Sequence, residues 1–259
     1  MNFPEIDPVL LHIGPLQLRW YGLMYILGFV AAYFILVNVS RKRNYELARA
    51  EIEDLLAYCV AGLIIGARLG YCLFYNFGYY FEHPLRIFAV WEGGMSFHGG
   101  LIGLVVAGWI FSRIKKKQFL MLADMGALAA PPGLFFGRIG NFINAELYGR
   151  VTDMPWGMVF PGAGPFPRHP SQIYEALLEG VVLFILLYVI HLKTRISGIL
   201  ISSFLIFYGV MRFFLEFFRQ PDQHLGFISG HLTMGQILCL IMMSAGAVLL
   251  ALRLKSIRP

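Results

Sequence analysis

Four stretches of this chain carry chemistry that their apolar surroundings do not invite. The first is Gly137-Arg138-Ile139-Gly140-Asn141-Phe142-Ile143-Asn144-Ala145-Glu146, where polar groups recur directly after a long apolar run. The second is Tyr208, Arg212, Glu216 and Arg219, whose spacing of i, i+4, i+8 and i+11 puts them on one face of a helix. An arginine at the centre of a membrane costs about 2.5–3.5 kcal/mol on insertion scales, so Arg138 and Arg212 call for an acidic partner, a polar cavity or an anionic ligand. A planar guanidinium suits a phosphate. Glu216 is spaced to neutralise Arg212 or Arg219, so a purely structural ion-pair ladder stays open beside the ligand reading.

The third stretch is Ser96-Phe97-His98-Gly99-Gly100. Ser96 suits a helix cap, and free amides beside two glycines could approach an anion closely. His98 is read there as a functional imidazole. The competing reading is that Gly99 and Gly103 simply let helices pack tightly. The fourth stretch, Arg168-His169-Pro170-Ser171-Gln172-Ile173-Tyr174-Glu175, is read as mainly structural. Ser171 stands one residue too far from Glu175 for a capping box, while Gln172, Glu175 and Glu179 share a helical face. Arg68, flanked by Gly62, Gly66 and Gly70, is assigned to holding helices together. His12, His83, His191, His224 and His231 lack chemical context and receive no role.

These groups are positioned by a membrane protein. Of 259 residues 58% are hydrophobic and 14% charged, against about 25% charged in a soluble domain. Mean hydropathy is +0.66. Disordered chains, coiled coils and disulfide-rich modules are excluded. Cys59, Cys72 and Cys239 each sit in an apolar run and read as small buried hydrophobes. The first eighteen residues carry Glu5 and Asp7 but no Lys or Arg, so no signal-peptide n-region is expected.

Seven runs approach the roughly 20 apolar residues of a span. They are 20–39, 52–75, 97–112, 119–139, 173–191, 198–218 and 233–252. The expected fold is an all-α polytopic membrane protein with seven transmembrane helices. It is read as a single membrane domain over 1–259, with loops 76–96 and 140–172 forming a small outward-facing, periplasmic cap. Pro131 and Pro132 lie inside the fourth run and predict a broken or kinked helix. Thirteen of the 21 basic residues, including all six lysines, follow the first, third, fifth and seventh runs. The positive-inside rule makes that side cytoplasmic, with the N-terminus outside and the C-terminus inside. The net charge of +6 is thereby placed by topology, and no nucleic-acid partner is read from it.

Five segments resemble the bacterial prolipoprotein diacylglyceryl transferases. They are Trp20-Tyr21-Gly22-Leu23-Met24-Tyr25, His98-Gly99-Gly100-Leu101, the stretch from Gly137 to Glu146, Arg168-His169-Pro170-Ser171-Gln172, and Glu216-Phe217-Phe218-Arg219-Gln220-Pro221-Asp222. The resemblance covers nearly the whole chain. It implies an inner-membrane enzyme with seven spans and no metal or organic cofactor. Such an enzyme moves the diacylglyceryl group of phosphatidylglycerol to the lipobox cysteine thiol of a prolipoprotein signal peptide, releasing glycerol 1-phosphate. On that reading Arg138 and Arg212 clamp the phosphate and stabilise the leaving group. His98 acts as base for the incoming thiol, or orients the headgroup. Tyr21, Asn141, Glu146 and Tyr208 position headgroup hydroxyls or hold the arginines, and Glu216 and Arg219 complete the polar network.

Three other readings compete with this one. A transporter would show mid-membrane acids and an inverted repeat. A rhomboid-type protease needs a Gly-x-Ser-Gly serine, which Ile228-Ser229-Gly230 does not supply, and an aspartyl type needs two membrane aspartates where only Asp124 is at hand. A non-catalytic lipid-binding scaffold would use the same arginines and stays open.

Overall fold

The structure is a computed structural model that describes residues 1–14, 16–43, 45, 47–220, 227–228 and 232–256. Pro221, Asp222, Ser229 and Gly230, which figure in the sequence reading, lie outside the described residues. A hairpin of β1 (Val9–Ile13) and β2 (Leu16–Arg19) leads into α1 (Trp20–Arg43). Next come α2 (Arg49–Phe74), the short α3 (Phe77–Glu82) and two single turns, Pro84–Phe88 and Val90–Glu92. Then follow α4 (Phe97–Ile114), α5 (Phe119–Ile143), α6 (Ser171–Glu175), a π-helical stretch (Ala176–Val182) and α7 (Leu183–Lys193). The chain continues through α8 (Ile199–Leu215), a small hairpin of β3 (Phe227–Ile228) and β4 (Leu232–Thr233), and α9 (Met234–Lys255). The two hairpins add strands to a chain expected to be all-α.

Six helices are long and apolar enough to cross a membrane: Trp20–Arg43, Arg49–Phe74, Phe97–Ile114, Phe119–Ile143, Ser171–Lys193 and Met234–Lys255. The helix Ile199–Leu215 is apolar but shorter, at 17 residues. Only 11–39% of each span's most apolar window is buried, so the apolar side chains mostly face outward, as lipid contact requires. The protein is a multi-pass membrane protein.

Two compact units make up the chain, one from residues 1–36 and 124–259 and the other from 37–123. In the second unit α2 and α4 touch backbone to backbone. A Cβ built on Gly103 would lie 2.0 Å from the Gly62 carbonyl oxygen, and one on Gly66 would lie 2.4 Å from that of Gly99. Only glycine admits this approach. The unit's far end packs Leu55, Phe111 and Leu122 into a small core, beside a 2.7 Å ion pair between Lys115 and Asp54.

In the first unit α1 meets α5 where a Cβ on Gly28 would lie 3.2 Å from Gly133 Cα. Of the break or kink expected at Pro131 and Pro132, the break does not occur, and α5 runs helical through both. The prolines remove two amide donors, but Ala127, Leu128 and Ala129 are buried just before them. Packing against neighbours compensates for such losses inside a membrane bundle. Asp124, also in α5, accepts from the backbone N–H of Gly198 at 2.7 Å and of Ile201 at 2.8 Å. This membrane aspartate therefore caps α8.

Candidate functional site

The candidate site residues of the first unit sit at the end of α5 or on the elements that pack around it. A Cβ on Gly180, in the π-helical stretch, would lie 2.6 Å from Phe135 Cβ. The missing side chain lets this stretch approach α5 one turn before Arg138. The turn before the last of α5 then presents Arg138, and α8 presents Arg212 in its own last turn.

Between the two arginines stands Glu175. Its Oε2 lies 2.7 Å from Arg138 Nε and 3.2 Å from Arg212 Nη1. Glu179 is farther away, 3.7 Å from Arg138 Nη2 and 3.8 Å from Arg212 Nη1. Glu216 takes Arg212 Nη2 at 2.9 Å and accepts the Thr233 hydroxyl at 3.1 Å. Thr233 and Gln236 form the capping box of α9, so this carboxylate is tied to a helix start. The side chains of Glu175 and Glu179 are 1% and 0% exposed, whereas Arg138 and Arg212 retain 17% and 13%. The carboxylates form the floor and the guanidiniums the open side. Tyr208 lies one turn before Arg212, within electrostatic reach of both arginines, Glu175 and Glu179. Arg219 lies in reach of Arg212, Glu175 and Glu216.

A second polar group follows one turn beyond Arg138. Asn141 Nδ2 donates to Glu146 Oε1 at 2.7 Å, and Asn144 Nδ2 does so at 3.4 Å. Ala145 and Leu147 flank Glu146 with φ of 54° and 57°. Two left-handed non-glycine residues in a row of three are costly, and such strain persists only where surroundings impose it. Here Gln172 Nε2 donates to the Glu146 carbonyl at 2.6 Å and Ser171 Oγ to that of Leu147 at 3.1 Å. Tyr21 packs on Gly140, where a Cβ would meet its ring at 2.9 Å, and is in hydrogen-bonding reach of Asn141.

Several expectations need correction. Arg219 does not share a helical face with Arg212, because α8 ends at Leu215. The chain there turns to form a bridge between Arg219 and Gly149, and Arg150 Nε donates to the Arg219 carbonyl at 2.8 Å. The amides after His98 are not free for an anion. Gly99 N donates to Ser96 Oγ at 3.2 Å and Gly100 N to the Ser96 carbonyl at 2.9 Å. Ser96 caps α4 as expected, and Gly99 and Gly103 serve helix packing. His98 itself is exposed and belongs to the second unit.

Arg68 does hold structure together. Its guanidinium donates to the carbonyls of Arg86, Ile87, Ala89, Gly93 and Gly94, all in its own unit. Ser171 does not cap its helix, and Glu175 and Glu179, read as mainly structural, ion-pair with Arg138 and Arg212. Their place beside the arginines was missed. The available signal was two glutamates at i and i+4 in a strongly apolar run, which need cations as much as the arginines need anions.

The arrangement can bind a phosphate anion in apolar surroundings and offset negative charge that builds on it. The profile of the family described as prolipoprotein diacylglyceryl transferase matches residues 8–252. A Geobacter sulfurreducens protein named phosphatidylglycerol–prolipoprotein diacylglyceryl transferase is 54% identical over 252 residues, covering 97% of each chain. Proteins of the same name from Oleidesulfovibrio alaskensis and Coxiella burnetii are each 52% identical. They cover 99% and 95% of this chain, and 96% and 95% of their own.

Proposed function

The chain belongs to the prolipoprotein diacylglyceryl transferase family, and from that premise we propose how its own residues carry the reaction. It is a transferase that moves the diacylglyceryl group of phosphatidylglycerol to a prolipoprotein, the first step of lipoprotein maturation. The acceptor is the lipobox cysteine thiol. Its sulfur attacks the glyceryl carbon, a C–S bond forms, and the C–O bond to phosphate breaks. The electron pair leaves with glycerol 1-phosphate, and the thiol proton passes to a base, the role given to His98.

The observation that carries this reading is the arginine pair over a carboxylate floor at the end of apolar helices. Bond cleavage raises the charge on the departing phosphate, and fixed cations beside it lower the barrier. Arg138 and Arg212 supply them. Tyr21, Asn141 and Glu146 hold headgroup hydroxyls, Tyr208 and Glu216 orient the arginines, and Arg219 adds positive charge. The acyl chains stay among apolar side chains.

The membrane setting follows from the basic residues. With Ile199–Leu215 counted, seven spans put the N-terminus in the periplasm and the C-terminus in the cytoplasm of a bacterial inner membrane. The whole chain then acts as one membrane domain, with loops 76–96 and 140–172 as its periplasmic cap.

A reconstituted assay tests this. The protein, phosphatidylglycerol and a lipobox peptide are combined, and peptide mass and released glycerol phosphate are followed. A second peptide carries serine in place of cysteine. Thiol-dependent release with a diacylglyceryl mass gain is expected. Tight lipid binding without release would replace the enzyme with a lipid-binding scaffold.

A further inference from the structure

Arg138 and Arg212 come from different helices, and each guanidinium ends a chain of rotatable bonds. A clamp for phosphate works best when both planes are fixed before the lipid arrives, because ordering them afterwards draws on binding energy. Among the described residues, the one atom that touches both is Glu175 Oε2, at 2.7 Å from Arg138 Nε and 3.2 Å from Arg212 Nη1. Glu175 is itself held from behind. The start of its helix is fastened by Ser171 Oγ to the Leu147 carbonyl and by Gln172 Nε2 to the Glu146 carbonyl.

Glu179 provides an internal contrast on the same helical face. Its two oxygens stand 3.7 and 3.8 Å from the arginine nitrogens, against 2.7 and 3.2 Å for Glu175 Oε2. It contributes charge but no short contact that fixes a geometry. Its charge also competes with an incoming anion for the same two guanidiniums. Three carboxylates, Glu175, Glu179 and Glu216, already face Arg138 and Arg212, with Arg219 in reach. A phosphate therefore meets cations that are largely matched.

We propose that Glu175 is the positioning residue of the phosphate clamp, bridging the two guanidiniums and setting their spacing, while Glu179 acts only as a charge that weakens lipid binding. This rests on the clamp reading of Arg138 and Arg212. It predicts opposite kinetic signatures from two glutamates one turn apart, which a shared structural role would not produce.

The test uses the full chain in lipid, comparing Glu175→Ala, Glu175→Gln and Glu179→Gln with wild type. Loss of a bridge that sets reacting geometry lowers kcat by about 100-fold or more in Glu175→Ala, with the KM for phosphatidylglycerol within about threefold. Glu175→Gln keeps an acceptor oxygen in place and recovers about tenfold of that loss. Glu179→Gln keeps kcat within about threefold and lowers the lipid KM, because a competing charge is gone. Thermal unfolding of each variant reports whether it folds.

Equal kcat losses in the alanine variant and Glu179→Gln would overturn the proposal, as would a Glu175→Ala enzyme with wild-type kcat. An experimental structure of Glu175→Ala gives a readout independent of turnover. Guanidiniums that separate or lose a fixed position are expected, and unmoved guanidiniums refute the bridge. A wild-type chain that binds lipid but transfers nothing would overturn the enzymatic reading, while that structure still decides the bridge.

Discussion

The chain buries arginines in apolar helices at two places and treats them differently. Arg68, 3% exposed, is surrounded by backbone carbonyls of a single loop. Arg138 and Arg212 are held by carboxylates and keep an open side. Carbonyls are neutral, fixed acceptors that cannot be exchanged without unfolding the loop. They turn an arginine into a permanent strut. A carboxylate neutralises charge but remains one anion among others, so an arginine held this way can trade it for a phosphate. Residue type and burial alone do not separate the two cases, and the partner does.

The sharpest way to break this contrast is Arg138→Ala. Guanidiniums that stabilise a departing phosphate contribute about 10³–10⁵ in rate, so transfer should fall by that factor while Arg212 still neutralises Glu175. Arg138→Lys keeps the charge but loses the planar edge, and should remain strongly impaired. Near wild-type turnover in either variant would place Arg138 with the struts. Arg68→Met should act in the opposite sense. It orphans five carbonyls, some of which water recovers, for a loss of about 3–5 kcal/mol in stability. Thermal unfolding in lipid measures this, and turnover per folded molecule should change less than tenfold. A larger fall in turnover with unchanged stability would erase the distinction.

The glycine contact that supports the strut comes next. Gly103→Ala puts a methyl group against the Gly62 carbonyl, and backbone cannot yield as a flexible side chain does. A loss of about 1–3 kcal/mol is expected. An unchanged unfolding temperature would show that α2 and α4 separate freely.

The smallest effect belongs to His169, which lies outside the spans with Nδ1 3.2 Å from the Tyr174 hydroxyl. Burial holds its pKa below the ordinary 6.5. The folded state therefore favours the neutral ring. Its contribution is complete above the ordinary value and is lost as pH falls through the lowered one. Wild type should lose slightly more unfolding temperature than His169→Gln between about pH 7 and 5. Parallel pH profiles would remove the effect.

Much of this was legible in the sequence. The cost of an arginine in an apolar run singles out Arg138 and Arg212 without any structure, and Gly62, Gly66 and Gly70 identify the packing face around Arg68. Ser96 announces its cap by position. The rest depended on tertiary contact. Glu175 and Glu179 show only an i, i+4 spacing, and nothing local says which distant cations they meet. The π-helical stretch has no composition signature, because its unfavourable turn is settled by the fit of Gly180 on Phe135. Local rules break a helix at Pro131 and Pro132, yet packing carries it through. The end of α8 at Leu215 is set by pairing with Gly149, far away in sequence.

The two units also differ in when they can be completed. Residues 37–123 form one unbroken stretch, and every carbonyl that Arg68 needs has been synthesised by Gly94. The other unit joins residues 1–36 to residues 124–259 and has to wait. Arg138 is synthesised well before Glu175, and Arg212 before Glu216 and the Thr233 that fastens it. Since chains emerge from the N-terminus, the strut is available early, and the clamp is among the last features to assemble. A nascent chain stalled between Arg138 and Glu175 would carry an arginine without the carboxylates that hold it. During biogenesis that guanidinium has to stay near water or headgroups until the following helix arrives.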